Sequence, residues 1–189
     1  MHLEALLTTA DFQHAFAQLT PLRVLLDRDS PQRQLSLKAP SSIAIVAGQG
    51  LRIVSEVQLQ WDVIGLLVPV TLRRMVILLT PSVVTIAGRQ ALSFGLRIEE
   101  ADVSALPAFV GDAVIGLVNE ALAKADARIA WRFMDTLDFG FPLPSEIQPL
   151  YAMRVFALSG AVQVEDGRVR LWVDWGLTAQ AERSVTTYP

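Results

Sequence analysis

The sequence is poor in the side chains that most often carry enzyme chemistry. Among 189 residues it has no cysteine, two histidines and only 19% charged side chains. The lack of cysteine excludes disulfides, thiol catalysis and cysteine metal sites. His2 and His14 have no cluster of metal ligands around them, and no serine and acid stand near either at the spacing of a nucleophilic triad. We therefore predict that the protein is not an enzyme and uses no metal and no cofactor.

Long basic runs and long apolar runs are missing as well. The net charge is −3 and no block of basic residues occurs, so we expect no nucleic-acid partner. The most apolar stretch, residues 63–79, contains Pro69, Arg73 and Arg74, whereas a transmembrane helix needs about 20 mostly apolar residues. The N-terminal residues lack the basic and apolar segments of a signal peptide. We expect a cytoplasmic protein if the chain is complete as given, and a periplasmic or cell-envelope protein if a leader was removed.

Apolar side chains, in contrast, are in excess. Hydrophobic residues make up 52% of the chain, and the mean hydropathy is +0.40. A chain of this length can bury a sizeable core without disulfides. We predict a single domain, residues 1–189, with a polar tail over about residues 178–189. The apolar excess must belong to a core, to a ligand cavity or to a surface that a partner covers.

Alternation of apolar and polar residues predicts β-strands over much of the chain. The clearest run is Leu51–Val63, and the glycine-rich turn Gly48-Gln49-Gly50 before it predicts a hairpin. Pro81 is expected to end a strand, and Asp166-Gly167 to join the last two strands through a type I′ turn. The other strands are expected near residues 35–39, 43–47, 71–79, 83–87, 92–98, 129–143, 153–164 and 169–175.

Two helices interrupt the predicted strands. A short helix is expected over Thr9–Leu19, where Thr8 and Asp11 have the spacing of a capping box, and residues 22–26 are expected to continue it. A long helix is expected over Ala108–Lys124, with an apolar arc of roughly 160° that needs a large apolar partner. The arc consists of Val110, Gly111, Val114, Ile115, Leu117, Val118, Ala121 and Leu122.

The order of these elements predicts an α+β fold with antiparallel pairing, because strands are not regularly followed by crossover helices. We expect a long, strongly curved antiparallel sheet that wraps around the one long helix, with the short helix at the N-terminus. Curling around the helix is the simplest way to close a sheet whose strands are this long.

This pattern resembles the tubular lipid-binding superfamily, the TULIP or BPI-like domains, in the form of a small bacterial single-lobe member. The resemblance is carried by the segments TTADFQHAFAQL, LRIVSEVQLQWDV, AFVGDAVIGLVNEALAKA, RIAWRFMDTLDFGFPLP and VQVEDGRVRLWVDW. It implies a long helix wrapped by a curved sheet, with an apolar tunnel for acyl chains. It also implies that the protein binds or carries a hydrophobic ligand and has no catalytic residue.

The leading hypothesis is therefore non-enzymatic binding or transport of a lipid or similar hydrophobic ligand, in an apolar tunnel between the helix and the curved sheet. The residues predicted to contact the ligand are Leu59, Trp61, Phe94, Leu96, Val114, Leu117, Val118, Phe139 and Phe141. A solid core would leave nearly the same pattern, and the apolar excess is what favours a tunnel. The alternative is an interaction or assembly module of the bacterial cell envelope, whose apolar face is covered by a partner chain. Transient contact with a membrane and formation of a homodimer are further candidate associations.

Arg73 and Arg74 interrupt an otherwise apolar strand. One of the two guanidinium groups is a candidate contact for an anionic head group at the mouth of a cavity. The simpler alternative is that one arginine faces solvent while the other pairs with an acid or lies along apolar surface.

Overall fold

The computed structural model describes residues 1–25, 34–63, 66–102, 108–124, 128–144, 146–147 and 150–181. Within these ranges, residues 61–63, 66–70, 108–114, 151 and 181 are described by their backbone alone. The predicted tail beyond residue 181 therefore lies outside the described residues. So do the side chains of Trp61 and Val114, and that of Val110, which belongs with Gly111 to the predicted apolar arc.

Most of the described chain is β-strand. The strands are β1 (His2–Thr8), β2 (Leu22–Leu25), β3 (Gln34–Leu37), β4 (Ser42–Val46), β5 (Gly50–Val63), β6 (Leu66–Ile86), β7 (Arg89–Asp102), β8 (Arg128–Trp131), β9 (Phe139–Pro142), β10 (Leu150–Glu165) and β11 (Arg168–Ala181). The helices are α1 (Thr9–Leu19), α2 (Ala108–Lys124) and α3 (Phe133–Thr136).

The described strands pair in an antiparallel manner and form two sheets. The four-stranded sheet has the order β1, β11, β10, β9. The seven-stranded sheet has the order β2, β3, β5, β6, β7, β8, and β4 also pairs with β5. Together the sheets form a half-barrel and a nearly closed barrel.

The predicted fold class is wrong, because the fold is mostly β and the sheet does not wrap around one long helix. Helix α2 has the predicted bounds but packs mainly against β7. The apolar faces of the strands instead find partners in one another, since β10 of one sheet contacts β4, β6 and β7 of the other. Strands that pack in a core between two sheets have the same alternation of apolar and polar residues as strands of a sheet that packs on a helix. The sequence pattern therefore did not distinguish the two arrangements.

Helix α2 covers an edge of the seven-stranded sheet. The N–H of Ile98 donates to Asn119 Oδ1 at 2.8 Å, and Asn119 Nδ2 donates to the Ile98 carbonyl at 2.9 Å. These two bonds take the place of a neighbouring strand, because β8 pairs with β7 only along residues 92–95. The helix therefore closes an open strand edge, where unpaired backbone groups would otherwise remain.

The N-terminal helix is confirmed with its predicted bounds and cap. The Thr8 N–H donates to the Asp11 carboxylate at 2.8 Å, and the Asp11 N–H donates to Thr8 Oγ1, which completes the capping box. The expected continuation of this helix is wrong, since Leu22–Leu25 is strand β2 and pairs with β3. The segment before the helix, for which the sequence predicted no strand, forms β1 along β11.

Strand β6 runs through two prolines, although Pro81 was expected to end it. A proline has no N–H to donate, so it suits a position where a strand has a neighbour on one side only. Pro69 pairs with β5 and lies beyond Arg74, where the pairing with β7 ends. Pro81 pairs with β7 and lies beyond Leu79, where the pairing with β5 ends. Each proline therefore stands on a part of β6 that is a sheet edge.

A bulge in β6 explains the two adjacent arginines. The register between β5 and β6 shifts so that Glu56 alone faces Arg73 and Arg74. Leu72 and Met75 on either side are both fully buried, although their odd spacing would place them on opposite faces of a regular strand. The extra residue turns the Met75 side chain to the same inner face as that of Leu72. Both arginines are exposed.

Both hairpins that the sequence predicted are confirmed, but one turn differs from the expectation. Strands β4 and β5 form the first hairpin, and β10 and β11 form the second through Asp166 and Gly167. Of these two turn residues only Gly167 has a positive φ, +68°, so the turn is not of type I′. Ala87 and Gly88, which join β6 to β7, have φ of +51° and +78° and fit that type.

The core consists of two contiguous clusters. The first cluster lies between the inner face of the seven-stranded sheet, α1 and α2, and its most enclosed members include Leu35, Leu51, Ile53, Val57, Leu72 and Val118. The second cluster consists of Leu92, Phe133, Ala157, Leu171 and Val173, from both sheets and α3. Phe94 packs against both clusters, and its ring meets that of Phe12 edge to face, with 6.5 Å between centroids.

Candidate functional site

One face of the four-stranded sheet continues past the core into solvent. It is the inner face, which carries Leu171 and Val173 into the second cluster. Beyond that cluster it presents apolar side chains from three neighbouring strands. We call this continuation the open face, and it consists of Phe139, Phe141, Met153, Val155, Trp175 and Leu177.

The strand register sets the residues of the open face in rows. Val155 pairs with Leu177 on one side and with Phe139 on the other. In the next row, Met153 pairs with Phe141. Directly paired side chains and their diagonal neighbours lie close enough to touch across strands. The six side chains therefore form one continuous apolar surface.

Three of these large apolar side chains are substantially exposed to solvent. Phe139 is 50% exposed, Leu177 is 47% exposed and Phe141 is 39% exposed. The Phe139 ring meets the Trp175 ring edge to face with 6.2 Å between centroids, and Trp175 packs against the second cluster. The open face is thus anchored in the core at Trp175 and uncovered at its outer end.

A bulge in β10 directs its residues onto this face. The register with β11 shifts between Ala157 and Ser159, which leaves one residue of β10 without a direct partner. Val155 and Val162 are an odd number of residues apart and would point in opposite directions on a regular strand. Because of the bulge, Val155 and Val162 point to the same inner face of the sheet.

The indole N–H of Trp175 is an unsatisfied donor beside the open face. Its Nε1 atom is buried and has no hydrogen-bond partner among the described residues. A buried donor without an acceptor destabilises a protein by roughly 1–3 kcal/mol, and native structures contain few of them.

An ion pair holds the outer strand of the open face in place. The Arg154 Nε and Nη2 atoms donate to the two carboxylate oxygens of Asp138 at 2.8 and 2.7 Å. These hydrogen bonds lower the pKa of Asp138, and they raise the pKa of Arg154. Asp138 directly precedes β9 and Arg154 lies in β10, so the pair fixes the position of the short strand that carries Phe139 and Phe141.

The sequence-predicted contact residues fall into several environments. Phe139 and Phe141 lie together on the open face. Leu59 and Val118, in contrast, are 3% and 1% exposed and are packed inside the first cluster. Their surroundings are those of ordinary core residues, which was the alternative that the sequence left open.

The remaining predicted residues are not gathered at the open face. Phe94 and Leu96 are half-buried and pack against the first cluster. Leu117 was expected on the packed arc of α2 but is 53% exposed. For Trp61 and Val114 the described structure gives the backbone position only, in β5 and α2 respectively.

Arg73 and Arg74 are both exposed at the bulge of β6. The Arg74 Nη1 atom lies 3.1 Å from Glu100 Oε2, so this arginine forms a solvent-exposed ion pair. Such pairs contribute little to stability, with a median of about 0–1 kcal/mol. Contact between either arginine and a lipid head group stays a prediction.

Sequence reasoning missed four residues of the open face, namely Met153, Val155, Trp175 and Leu177. The signal was present, because the segments that form β10 and β11 alternate with period two and were predicted to form a hairpin. The direction of each side chain could not be read from the alternation, since the bulge in β10 reverses it midway along the strand.

None of the described helices is both long and apolar enough to cross a membrane. In the same part of the chain, histidine, aspartate and glutamate side chains do not gather in a group of three or more that could hold a metal ion.

Comparison with known proteins gives little guidance. No known family matches the sequence, and no curated protein matches it either. A weak structural neighbour is a crystal structure of a lipopolysaccharide binding protein, with a TM-score of 0.33 and 12% sequence identity. The alignment covers 98% of this chain and 53% of the neighbour, so the chain spans about half of that protein's length. A TM-score this low does not establish a common fold.

Proposed function

We propose that this protein binds a lipid or a similar hydrophobic molecule on the open face. The observation that best supports the proposal is that Phe139, Phe141 and Leu177 are substantially exposed and yet continuous with the second cluster. Apolar residues on a protein surface are usually scattered singly, whereas a contiguous exposed group marks a binding surface. A bound acyl chain would remove these side chains from water and extend the core outward.

The size of the open face suits a small ligand better than a partner chain. Three strands about 4.8 Å apart, each contributing residues over about three rows of 6.8 Å, give an area of roughly 200–300 Å². A stable protein interface buries about 800 Å² on each partner. The open face alone is therefore too small for a stable dimer, but it can cover one or two acyl chains.

The ligand that fits has an acceptor atom as well as an apolar body. Trp175 Nε1 is a buried donor at the end of the open face that meets the core. Because Nε1 has almost no accessible surface, the indole must shift when the ligand binds. An ester carbonyl, a carboxylate or a hydroxyl oxygen would then accept its hydrogen bond, with the hydrocarbon part along Val155 and Phe139. A pure hydrocarbon would leave the indole N–H unsatisfied, so we expect it to bind less tightly than a fatty acid or ester of equal length.

This proposal keeps the ligand class that the sequence predicted but moves the binding site. The tunnel between the long helix and the sheet is replaced by an exposed face of the four-stranded sheet, because α2 covers a strand edge and Val118 is packed in the core. A ligand on an exposed face can bind and leave without unfolding of the protein. Carriage of a lipid between membranes, the transport part of the hypothesis, is compatible with such a site.

A pair of matched leucine variants tests the proposal. Leu177 and Leu6 are 47% and 46% exposed, and they lie on opposite faces of the same sheet. We expect Leu177→Gln to weaken the binding of a fluorescent fatty-acid analogue by roughly tenfold, since it loses about one buried leucine side chain. Leu6→Gln makes the same chemical change outside the open face, and its affinity should stay within about twofold of the original.

Native mass spectrometry and lipid extraction of the purified protein give a second measurement. Co-purified acyl-chain lipid on a monomer would support the proposal. A protein that binds no fatty-acid analogue, or one whose two leucine variants lose affinity equally, would contradict it. A stable ligand-free dimer in which Phe139 and Phe141 are protected from solvent would instead favour the assembly-module alternative.

A further inference from the structure

The charges of the four-stranded sheet are concentrated at the end that carries the β10 to β11 turn. There Arg170 Nη1 lies 2.9 Å from Glu4 Oε1 of β1, and Arg170 Nη2 donates to Glu165 Oε2 of β10 at 3.1 Å. Arg168 Nε donates to the same Glu165 oxygen at 2.6 Å. These hydrogen bonds, chiefly the one from Arg168, lower the pKa of Glu165. A network of paired charges therefore joins the three strands at this end.

The opposite end of the same sheet is almost free of charge. We call it the low-charge end, and it consists of residues 139–142 of β9, 150–157 of β10 and 175–181 of β11. Arg154 is the one charged residue in these three segments. Its guanidinium group is compensated by its hydrogen bonds to the Asp138 carboxylate. In a chain with 19% charged residues, such depletion of charge is typical of a surface that leaves water when it binds.

The apolar side chains of the low-charge end lie on both faces of the sheet and at its tip. The open face occupies the inner side. On the outer side Phe156 pairs with Gly176, and a Cβ atom at Gly176 would lie 2.6 Å from Phe156 Cζ, so the ring packs on the glycine. The tip is the loop from β9 to β10, in which Ile147 is 45% exposed and stands beside the exposed Glu146. Apolar surface thus surrounds this end of the sheet.

From this distribution we infer that the low-charge end docks on a lipid bilayer and inserts its tip into the head-group region. The inference rests on the proposed function, since a bilayer is the source from which a lipid reaches the open face. Peripheral proteins bind a bilayer interface through the apolar area that they bury there. A bilayer can surround both faces and the tip at once, whereas a second copy of the chain packed on the sheet would cover one face only.

The backbone limits how deeply this end inserts. Strand β1 pairs with β11 along residues 168–174, and the Trp175 N–H donates to the Met1 carbonyl at 2.7 Å. Beyond Trp175, β11 has a neighbouring strand on one side only within the described structure. Unpaired backbone groups are excluded from the hydrocarbon core of a bilayer, but water reaches them among the head groups. We therefore expect insertion by about 5–10 Å, which covers Ile147 and the nearby pair Phe141 and Met153.

Co-flotation of the full chain with phosphatidylcholine vesicles tests the docking. We expect binding that is the same at about 0.1 and 1 M NaCl, because apolar contact is not screened by salt. Ile147→Gln should weaken binding by roughly threefold to tenfold, since about half of one apolar side chain loses its contact with lipid. Leu6→Gln is the matched control, because Leu6 is 46% exposed but pairs with Arg170 at the charged end. It should leave binding within about twofold of the original.

A second pair of variants reports which end of the sheet faces the bilayer. Gln180 lies in the low-charge end, Gln163 pairs with Arg170 at the charged end, and both glutamines are exposed. On vesicles that contain anionic phosphatidylglycerol, Gln180→Glu should weaken binding by roughly fivefold, because its new charge lies near the lipid surface. Gln163→Glu adds the same charge roughly 30 Å away along the strands, beyond the range of screened electrostatics, and should change binding by less than about twofold.

Binding of the dissolved fatty-acid analogue separates this inference from the proposed function. Ile147 lies outside the open face, so Ile147→Gln should bind the analogue within about twofold of the original. Vesicle binding with the expected variant effects, in a protein that binds no analogue, would support the docking and contradict the proposed function. Circular dichroism confirms that each variant is folded.

The docking inference is overturned if the protein does not float with vesicles, or if about 1 M NaCl abolishes the binding. It is also overturned if the two variants of either pair weaken the binding equally. A dimer in analytical ultracentrifugation that Ile147→Gln dissociates and Leu6→Gln does not would assign the low-charge end to a second copy of the chain, and this result would overturn the inference as well.

Discussion

The inner faces of the two sheets have the same alternating sequence pattern, but they differ in how completely they are covered. In the seven-stranded sheet, inner residues such as Leu51, Val57 and Leu72 are almost completely buried beneath α1, α2 and the facing strands. In the four-stranded sheet, the inner face leaves the second cluster and continues into Phe139 and Leu177, which are about half exposed. The difference lies in what covers each face and not in its composition.

This comparison shows where part of the apolar excess of the sequence is located. A protein of this size could place all its large apolar residues in a core, and the first cluster is packed in that way. The open face holds side chains of the same kind at the surface. Exposure of a contiguous group of such residues to water is unfavourable, and it is the reason for our proposal that a ligand covers them.

The largest expected effect separates a core phenylalanine from one on the open face. Phe133 has no exposed surface, and Phe139 is half exposed. We expect Phe133→Ala to lower the free energy of unfolding by about 3–5 kcal/mol, because it leaves a cavity in the second cluster. Phe139→Ala should cost less than about 1.5 kcal/mol, since half of its side chain is already in water. Urea unfolding of both variants measures this, and equal losses would mean that Phe139 belongs to the core.

The next largest change in stability is expected from a pair of glycine variants. A Cβ atom at Gly160 would lie 2.7 Å from Phe133 Cζ and 3.1 Å from the Trp172 carbonyl oxygen. Gly160→Ala should therefore destabilise the protein by about 1–3 kcal/mol through overpacking. At Gly140, on the strand of the open face, the closest atom would be the Met153 carbonyl oxygen at 3.6 Å, so Gly140→Ala should be tolerated. Thermal unfolding measures the stability of both variants. If Gly160→Ala is more stable than Gly140→Ala, the account of packing around Phe133 is wrong.

A smaller effect concerns the ion pair that holds β9. The hydrogen bonds from Arg154 lower the pKa of Asp138 in the folded protein. The stabilisation is therefore complete above the ordinary aspartate pKa of about 3.9 and is lost as the pH falls through the lowered folded-state pKa. We expect fatty-acid affinity to fall at acid pH, and Asp138→Asn to weaken binding at neutral pH and to flatten this pH dependence.

A matched variant controls for the general effect of removing a paired carboxylate. Glu120 pairs with Lys124 on α2, and its pKa is lowered by the same kind of hydrogen bond. Glu120→Gln should leave fatty-acid affinity unchanged, because α2 does not contribute to the open face. If Glu120→Gln and Asp138→Asn reduce the affinity equally, the position of β9 is not what the measurement reports.

The smallest expected change in stability comes from a substitution in the turn between β6 and β7. Ala87 has a φ of +51° in the turn between β6 and β7, a conformation that is unfavourable for residues with a Cβ atom. Ala87→Gly should raise stability by up to about 1 kcal/mol, with no change in ligand affinity. A loss of stability in thermal unfolding would show that the turn does not strain the backbone at Ala87.

Local elements of this fold could be predicted from the sequence because their causes are local. The capping box of Thr8 and Asp11, the bounds of α2 and the two hairpins depend on residues a few positions apart. The strand β1 was missed, since its residues pair with β11 at least 160 positions away and alternate only weakly. Its place in the sheet is decided by a partner that a local pattern does not show.

The arrangement of the elements could not be predicted because it depends on register. Bulges in β6 and β10 reverse the side-chain direction at Arg73 and Leu158, so an alternation extended through them places residues on the wrong face. Phe139 and Phe141 were predicted to contact a ligand from their spacing alone. Their neighbours Val155 and Leu177 become visible only when the pairing of β9, β10 and β11 is known.

The most direct test of the central claim is to locate a bound fatty acid by photo-crosslinking. A fatty acid with a photoreactive group near the end of its chain is bound to the full-length protein and irradiated, and the labelled residues are identified by mass spectrometry. We predict adducts on the open face, at Phe139, Phe141, Met153 or Leu177, and their loss in Leu177→Gln. Adducts confined to the exposed face of α2 around Leu117, or spread without preference over the surface, would contradict the account.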